Sequence, residues 1–115
     1  MKKLKVKFRL WVETSSGKNV IGDGRWRLLE EIKNTGSLSK ACKTLGISYR
    51  KAWGDLEKMQ SALPIPLIEK HRGGTAGGET QLTPFGKKIV NAYRKLHKDI
   101  EKEIIRAGKY VRLNK

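Results

Sequence analysis

A hydroxyl, a phenol, a guanidinium and an ammonium group follow one another at Ser48, Tyr49, Arg50 and Lys51. A guanidinium can donate two hydrogen bonds to O6 and N7 of guanine, which is the commonest specific contact between a side chain and a base. An ammonium group neutralises phosphates, and this adds affinity without sequence information. We therefore predict that Arg50 reads a base and that Ser48 and Tyr49 contact bases or phosphates. Lys51 and Lys58 are predicted to contact phosphates.

Trp53 lies one helical turn after Tyr49 and allows two interpretations. As an exposed aromatic residue it would contact a sugar or a thymine methyl group. As a partly buried residue, the interpretation that we favour, it would close the junction between its helix and the segment that follows. The neighbouring Gly54 costs about 1 kcal/mol against alanine inside a helix. That cost is easier to understand if a backbone or a partner molecule approaches closely at Gly54.

The spacing of apolar residues places these side chains on the second of two short helices. In the first helix, apolar residues recur at i, i+3, i+4 and i+7, at Leu38, Ala41, Cys42 and Leu45. Gly46 has the backbone freedom that a sharp turn requires, and Ser48 is a favourable N-cap for the second helix. The inward positions of the second helix are Ala52, Leu56 and Met59. This arrangement predicts a helix-turn-helix whose recognition helix, over about residues 48–62, enters the DNA major groove. The alternative is an ordinary helical hairpin.

A β-hairpin is predicted after the helix-turn-helix, over about residues 67–82. Residues 67–72 are typical of a strand, residues 73–78 form a loop with four glycines, and residues 80–82 are typical of a returning strand. A hairpin in this position corresponds to the wing of a winged helix-turn-helix. The wing residues expected on the phosphate backbone or in the minor groove are Lys70, Arg72, Gly73 and Gly74. The alternative is a surface loop, and a P-loop is excluded because no Gly-Lys-Ser/Thr sequence follows the glycines.

Two further elements are predicted before the helix-turn-helix. Alternating apolar and polar residues over 4–13 indicate a half-buried strand, and residues 20–21 indicate a short strand that pairs with it. A helix over about residues 24–34 follows, with Asp23 as its N-cap and Gly36 at its C-cap. The buried face of this helix is expected to carry Trp26, Leu29 and Ile32.

A long helix is predicted over residues 84–107, with Thr83 as its N-cap and Pro84 in its first turn. Apolar residues recur along it every three or four positions, at Phe85, Ile89, Tyr93, Leu96, Ile100 and Ile104. A helix of this length spans about 35 Å, which is more than the core of a small domain can cover. We therefore expect the stripe to pack against the same helix of a second copy, so that the protein is a homodimer.

The composition agrees with a single small domain that binds a polyanion. The chain has 115 residues, with 26 Lys and Arg against 11 Asp and Glu, and its net charge is +15. A folded domain this basic usually binds a polyanion, and together with the helix-turn-helix this favours nucleic acid. The alternatives are a solvated basic surface and a cationic protein that contacts anionic lipid. We expect a mainly α fold with a small β component. It would comprise a winged helix-turn-helix DNA-binding domain over residues 1–83, a dimerisation helix over residues 84–107 and a basic tail over residues 108–115.

Other functional classes find no support in the sequence. The single cysteine, Cys42, excludes an internal disulfide bond, and His71 and His97 lack neighbouring ligands at metal spacing. No nucleophile–base pair and no pair of carboxylates stands out, so we expect no enzyme, no cofactor, no metal and no small-molecule ligand. No apolar run approaches the roughly 18 residues of a membrane span, and the N-terminus lacks the apolar core of a secretory signal. The expected location is the cytoplasm.

Several motifs resemble those of one family of regulators. They are Gly22-Asp23-Gly24-Arg25, the sequence GISYRKAW at residues 46–53, the glycine pairs at 73–74 and 77–78, and Leu82-Thr83 followed by Gly86. Over about residues 6–105 the chain is similar to the N-terminal DNA-binding domain of the molybdate-responsive ModE regulators. The Leu-Thr-x-x-Gly motif is shared more widely with LysR-type regulators.

The resemblance implies a winged helix-turn-helix that dimerises through its flanking helices and binds palindromic promoter DNA. By this analogy residues 48–50 and 72–74 face the DNA, and residues 84–107 form the dimer helix. Full-length members of the family also carry molybdate-binding domains. Because 115 residues leave no room for those domains, we expect them to be lacking and do not carry molybdate sensing over.

The sequence thus predicts a homodimeric, sequence-specific transcription regulator that binds double-stranded DNA, with its two recognition helices about 34 Å apart. The alternative is a basic structural protein that binds the nucleoid or RNA without sequence preference, since lysines and glycine-rich loops suit that role as well. A third interpretation is a protein-interaction module that uses the long helix and never touches nucleic acid.

Overall fold

The computed structural model describes residues 6–71 and 79–108, which fold into four helices and two short antiparallel hairpins. In chain order the elements are β1 (Trp11–Glu13), β2 (Asn19–Gly22), α1 (Asp23–Thr35), α2 (Leu38–Leu45), α3 (Tyr49–Ser61), β3 (Ile68–His71), β4 (Glu79–Leu82) and α4 (Pro84–Ala107). Strand β1 pairs with β2, and β3 pairs with β4. The predicted winged helix-turn-helix, mainly α with a small β component and a long C-terminal helix, is confirmed.

The helix-turn-helix forms where local capping signals predict it. The Ser37 hydroxyl accepts a hydrogen bond from the Lys40 amide at 3.2 Å and so caps α2. Gly46 adopts a left-handed conformation with a φ of 67°, which lets the chain turn sharply after α2. The Ser48 hydroxyl accepts from the Lys51 amide at 3.0 Å and begins α3. The predicted turn and the predicted N-cap of the recognition helix are therefore confirmed.

In the described part of the chain, a hydrophobic core joins the helices to the hairpins. Helices α1, α2 and α3 contribute Leu28, Leu29 and Ile32, then Leu38, Ala41 and Cys42, and then Ala52, Leu56 and Met59. The hairpins add Val20, Ile21, Ile68 and Leu82. Trp26 and Leu45, predicted on buried faces, are partly buried at the edge of this core. The inward faces predicted for α2 and α3 are confirmed.

The second hairpin, the wing, is fastened at its base to both α3 and α4. The amides of Leu67 and Ile68 donate to the side-chain oxygen of Gln60 at 2.7 and 3.2 Å. The Thr83 amide donates to the Leu67 carbonyl at 2.9 Å. Gly86 lies so close to the same carbonyl that a Cβ atom there would overlap with its oxygen. These contacts fix the wing relative to the end of α3 and the start of α4.

The first hairpin is shorter than the alternation over residues 4–13 predicts. Strand β1 contains only Trp11–Glu13, and residues 6–10 are not in a strand; residues 4 and 5 lie outside the described residues. Val12 stays 38% exposed and Val6 47% exposed. The prediction of a half-buried strand is wrong in its length, because β2 and not β1 packs on the core, whereas the short strand at residues 20–21 is confirmed.

Helix α1 begins one residue earlier than predicted. Its N-cap is Gly22, which offers no side-chain hydrogen bond, and Asp23 is the first helical residue. The Asp23 carboxylate instead accepts a hydrogen bond from the Tyr93 hydroxyl at 2.7 Å. The prediction that Asp23 is the N-cap is therefore wrong. Its negative charge is nevertheless favourable at the N-terminal end of the helix dipole. At the other end of α1, the predicted C-cap Gly36 is confirmed by its φ of 69°.

Helix α4 spans Pro84–Ala107, as predicted. The Thr83 hydroxyl caps it by accepting from the Gly86 amide at 3.0 Å. Midway along the helix, the Arg94 guanidinium pairs with the Glu30 carboxylate of α1, with Nε 3.1 Å from Oε1. The first half of α4 is thus held against α1.

The apolar stripe of α4 divides into a part that the chain itself covers and a part that it does not. Phe85 and Ile89 pack against the core and are half-buried, and Tyr93 is only 3% exposed. Leu96, by contrast, is 44% exposed. Tyr93 therefore belongs to the chain's own core, and its placement on a dimer surface needs correction. Apolar spacing does not distinguish these roles, since both require the same residue types.

Candidate nucleic-acid interface

The first turn of α3 carries its polar side chains outward. Exposed residues there are Ser48, Tyr49, Arg50 and Lys51, and Tyr49 keeps 47% of its surface accessible. The opposite face of the helix is fully buried at Ala52, Leu56 and Met59. The residues predicted to contact DNA at the start of α3 are therefore accessible to a partner.

Arg50 and Lys58 carry charged groups that no other described residue engages. Both are exposed, and within residues 6–71 and 79–108 neither side chain takes part in a hydrogen bond or an ion pair. Within that part of the chain, no hydrogen bond or ion pair has to be broken before either group binds an anion. A charge-assisted hydrogen bond from such a group is stronger than one between neutral partners.

Lys51 is less free than Arg50. Its ammonium group lies 3.2 Å from the carboxylate of Asp55, one turn later on α3, and the guanidinium of Arg25 in α1 lies 3.9 Å from the same carboxylate. Arg25 also donates to two carbonyl oxygens of β2, at 3.1 and 3.3 Å. Sequence reasoning missed Asp55 and Arg25. The i, i+4 spacing of Lys51 and Asp55 was a visible signal, whereas nothing local indicated that Arg25 would reach α3.

Trp53 lies between the recognition helix and the wing. Its indole is half-buried. The Tyr49 ring forms a T-shaped pair with it, with the centroids 6.2 Å apart, and the Lys70 ammonium lies 4.2 Å from the indole centroid. This arrangement supports the partly buried interpretation of Trp53, in which it closes the junction with the wing.

The structure tests part of the prediction for Gly54, but it does not describe the tip of the wing. Among the described residues, a Cβ atom on Gly54 would have no neighbour from another element within 4 Å. The prediction that another described part of the chain approaches closely at Gly54 is therefore wrong. Approach by a partner molecule stays a prediction. Lys70 is exposed on β3, whereas Arg72, Gly73 and Gly74 lie outside the described residues.

The described ranges, residues 6–71 and 79–108, offer little for other kinds of site. There, no three His, Cys, Asp or Glu residues come close enough together to hold a metal ion. Burial raises the pKa of the Cys42 thiol above its ordinary value, which keeps it protonated in the core. None of the described helices is long and apolar enough to cross a membrane.

Comparison with known proteins gives consistent matches. Residues 24–87, from α1 to the first turn of α4, match the family described as bacterial regulatory helix-turn-helix protein, lysR family. The chain is 38% identical over 106 residues to "Molybdenum transport protein ModE" of Azotobacter vinelandii, a match that covers 92% of this chain and 38% of that protein. It is 40% identical over 77 residues to "Transcriptional regulator ModE" of Haemophilus influenzae, covering 67% of this chain and 30% of that protein.

A third relative is "DNA-binding transcriptional dual regulator ModE" of Escherichia coli, 36% identical over 69 residues, with 60% of this chain and 26% of that protein covered. The chain thus spans between 26% and 38% of the length of these relatives. The matches confirm the predicted resemblance to ModE and the wider likeness to LysR-type proteins. Since the matched family spans the helix-turn-helix, the wing and the start of α4, this chain belongs to the lysR family of bacterial regulatory helix-turn-helix proteins.

Proposed function

We propose that this protein is a sequence-specific transcription regulator that binds double-stranded DNA as a homodimer in the bacterial cytoplasm. The observation that carries the proposal is the guanidinium of Arg50, which lies at the exposed start of α3 and has no partner among the described residues. Two of the relatives are named "Transcriptional regulator ModE" and "DNA-binding transcriptional dual regulator ModE", and these names agree with the proposed function.

In the proposed complex α3 enters the major groove with its N-terminus first. Arg50 then reads a base, and Ser48 and Tyr49 contact bases or phosphates. Lys51 and Lys58 bind phosphates, for which Lys51 exchanges its contact with Asp55. The wing, with Lys70 and residues 72–74, lies on the phosphate backbone or in the minor groove. In this proposal residues 1–83 form the DNA-binding domain, residues 84–107 the dimerisation helix and residues 108–115 a basic tail.

An open apolar groove supports the homodimer. It lies between the first hairpin and α4 and has a volume of about 290 Å³. Its apolar lining includes Val12, Val20, Ile21, Leu63, Ile89 and Leu96. Farther along α4, Ile100 and Ile104 are partly exposed and Ile105 is 67% exposed. Contiguous exposed apolar surface commonly marks an interaction site, and we propose that the second copy covers it with its own α4.

Replacing the proposed base-reading residue tests the function. A selection of bound fragments from a genomic library would first identify the operator. Arg50→Ala should then weaken operator binding by about 1–3 kcal/mol and relax the preference at one base pair, because a bidentate contact is lost. Lys58→Ala is the matched control, and it should weaken binding to operator and random DNA equally. Equal losses on both DNAs for Arg50→Ala would overturn its base-reading role.

The competing function is a basic structural protein without sequence preference, and the net charge of +15 is the observation that favours it. Competition with random duplex separates the two. A regulator should prefer its operator by about 10³-fold or more, whereas a structural protein should be displaced equally well by random DNA. Equal displacement would therefore replace the proposed function.

A further inference from the structure

Three side chains form a stack that joins the recognition helix to the wing, here called the Tyr49–Trp53–Lys70 stack. The Trp53 indole is in the middle. The Tyr49 ring forms a T-shaped pair with it, with the centroids 6.2 Å apart and the planes inclined at 69°. The Lys70 ammonium lies 4.2 Å from the indole centroid. Trp53 is half-buried, while Tyr49 and Lys70 are exposed, so both ends of the stack stay accessible.

The backbone brings Lys70 to this position. Just before it, the amides of Leu67 and Ile68 donate to the Gln60 side chain at 2.7 and 3.2 Å. Strand β3 therefore leaves the end of α3 at a defined point. Lys70 follows two residues after Ile68, and its long side chain reaches back to Trp53 on α3.

The contact between Lys70 and Trp53 restricts the Lys70 side chain and leaves its positive charge available to an anion. An ammonium group over the face of an indole is attracted by the electron-rich π surface. A free lysine side chain has many rotamers and loses that freedom when it binds a phosphate. An ammonium carries three N–H donors, so a group that rests on a ring on one side can still donate to an anion on the other.

We propose that Trp53 is a positioning residue, which holds the Lys70 ammonium ready for a phosphate beside the start of α3 and does not contact DNA itself. The inference rests on the proposed DNA-binding function. It deepens that function, because Lys70 of the wing and the recognition helix would then bind DNA as one unit. Trp53 then contributes to DNA binding only through Lys70.

A double-mutant cycle tests this dependence. Operator affinity and its salt dependence are measured for the wild type, Trp53→Leu, Lys70→Met and the double variant. Each single variant should lose about three- to tenfold in affinity, and Lys70→Met should lower the salt slope by about 1. In the Lys70→Met background, Trp53→Leu should cost nothing further. Lys70→Arg keeps a cation over the ring and should retain most of the affinity.

Lys58 provides the matched control. It is an exposed lysine on the same helix, and the cation that the structure places over the Trp53 ring is that of Lys70, not that of Lys58. Lys58→Met should therefore lose the same factor in affinity whether residue 53 is Trp or Leu. If Trp53→Leu lowers the affinity equally with and without Lys70, Trp53 touches the DNA itself or acts on the fold, and the proposal is overturned.

Nuclear magnetic resonance of the protein without DNA tests the contact separately. The ring current of Trp53 should shift the Lys70 ε-methylene protons upfield, and Trp53→Leu should abolish the shift while the Lys58 protons do not move. Trp53→Phe gives a milder variant if Trp53→Leu unfolds, and should retain part of the shift. Unshifted Lys70 protons in the wild type would overturn the inference alone. A wild type that shows the shift but binds operator and random DNA equally would overturn the proposed function and the phosphate role built on it.

Discussion

Among single residues, Tyr93 makes contacts that the spacing of apolar residues does not reveal. Its hydroxyl oxygen lies 2.8 Å from the carbonyl oxygen of Leu10 and 2.7 Å from the Asp23 carboxylate. Its ring lies 5.3 Å from that of Trp26. One side chain of α4 thereby fixes the segment before β1 and the start of α1. Such a role depends on which elements contact each other in the folded chain, and apolar spacing does not show this. For this reason the sequence analysis predicted Tyr93 on the dimer surface.

Removing this hydroxyl should measurably destabilise the protein. Tyr93→Phe is expected to lower the free energy of unfolding by about 1–2 kcal/mol, because polar groups on Leu10 and Asp23 lose their partner. Chemical denaturation measures the change. Tyr49→Phe, at an exposed position, is the matched control and should alter stability by less than about 0.5 kcal/mol. Equal effects of the two variants would contradict the structural role of the Tyr93 hydroxyl.

The wild type and Tyr93→Phe should also differ in how their free energy of unfolding depends on pH. Burial, together with the hydrogen bond to Asp23 and its negative charge, raises the pKa of Tyr93 above its ordinary value of 10.0. The unfolded chain therefore releases this proton first. The contribution of Tyr93 to stability is fully present below about pH 10 and is lost as the pH rises toward the raised pKa of the folded state. Between neutral pH and about pH 11, the wild type should lose more stability than Tyr93→Phe; parallel losses would argue against the shift.

At the scale of elements, two helix glycines should respond to alanine in opposite directions. Gly86→Ala would drive a Cβ atom into the Leu67 carbonyl, which is held by its own hydrogen bond, and should cost about 1–3 kcal/mol of stability. Among the described residues, Gly54→Ala meets no atom of another element within 4 Å, and it should stabilise α3 by about 0.5–1 kcal/mol. Denaturation midpoints compare the two.

A stabilising effect of Gly86→Ala would contradict the close packing of α4 on the base of the wing. Gly54→Ala has a second readout, since it should weaken DNA binding if a partner molecule approaches there. Unchanged DNA affinity would exclude that reason for the glycine.

Helix ends were predictable from the sequence because their signals are local. Ser48, Thr83 and Gly36 each act on residues within one turn, and each does so in the structure. The length of β1 was not predictable, since it depends on whether another layer covers the strand. The same distinction between local and long-range signals applies to the candidate site. Residue types identified the exposed start of α3, whereas the contact between Trp53 and Lys70 joins positions far apart in sequence.

At the scale of the whole molecule, the apolar groove and the exposed part of α4 should form the dimer interface. Leu96 lines the groove and is 44% exposed in the single chain. Leu96→Glu would place a carboxylate where a second copy has to exclude water, and an unpaired buried charge is strongly unfavourable. Sedimentation velocity should therefore show monomers, while chemical denaturation shows a folded chain, since Leu96 is not part of its core.

Ile65→Glu is the matched control for this prediction. Ile65 is 50% exposed but does not line the groove, so the variant adds the same charge without touching the proposed interface and should remain a dimer. The monomeric Leu96→Glu variant should also lose affinity for a palindromic operator, because its two half-sites are no longer bound together. If Leu96→Glu sediments as the wild type does, the groove and the exposed half of α4 are not where two copies meet. If both variants become monomers, added charge alone disrupts association, and the effect does not belong to the groove.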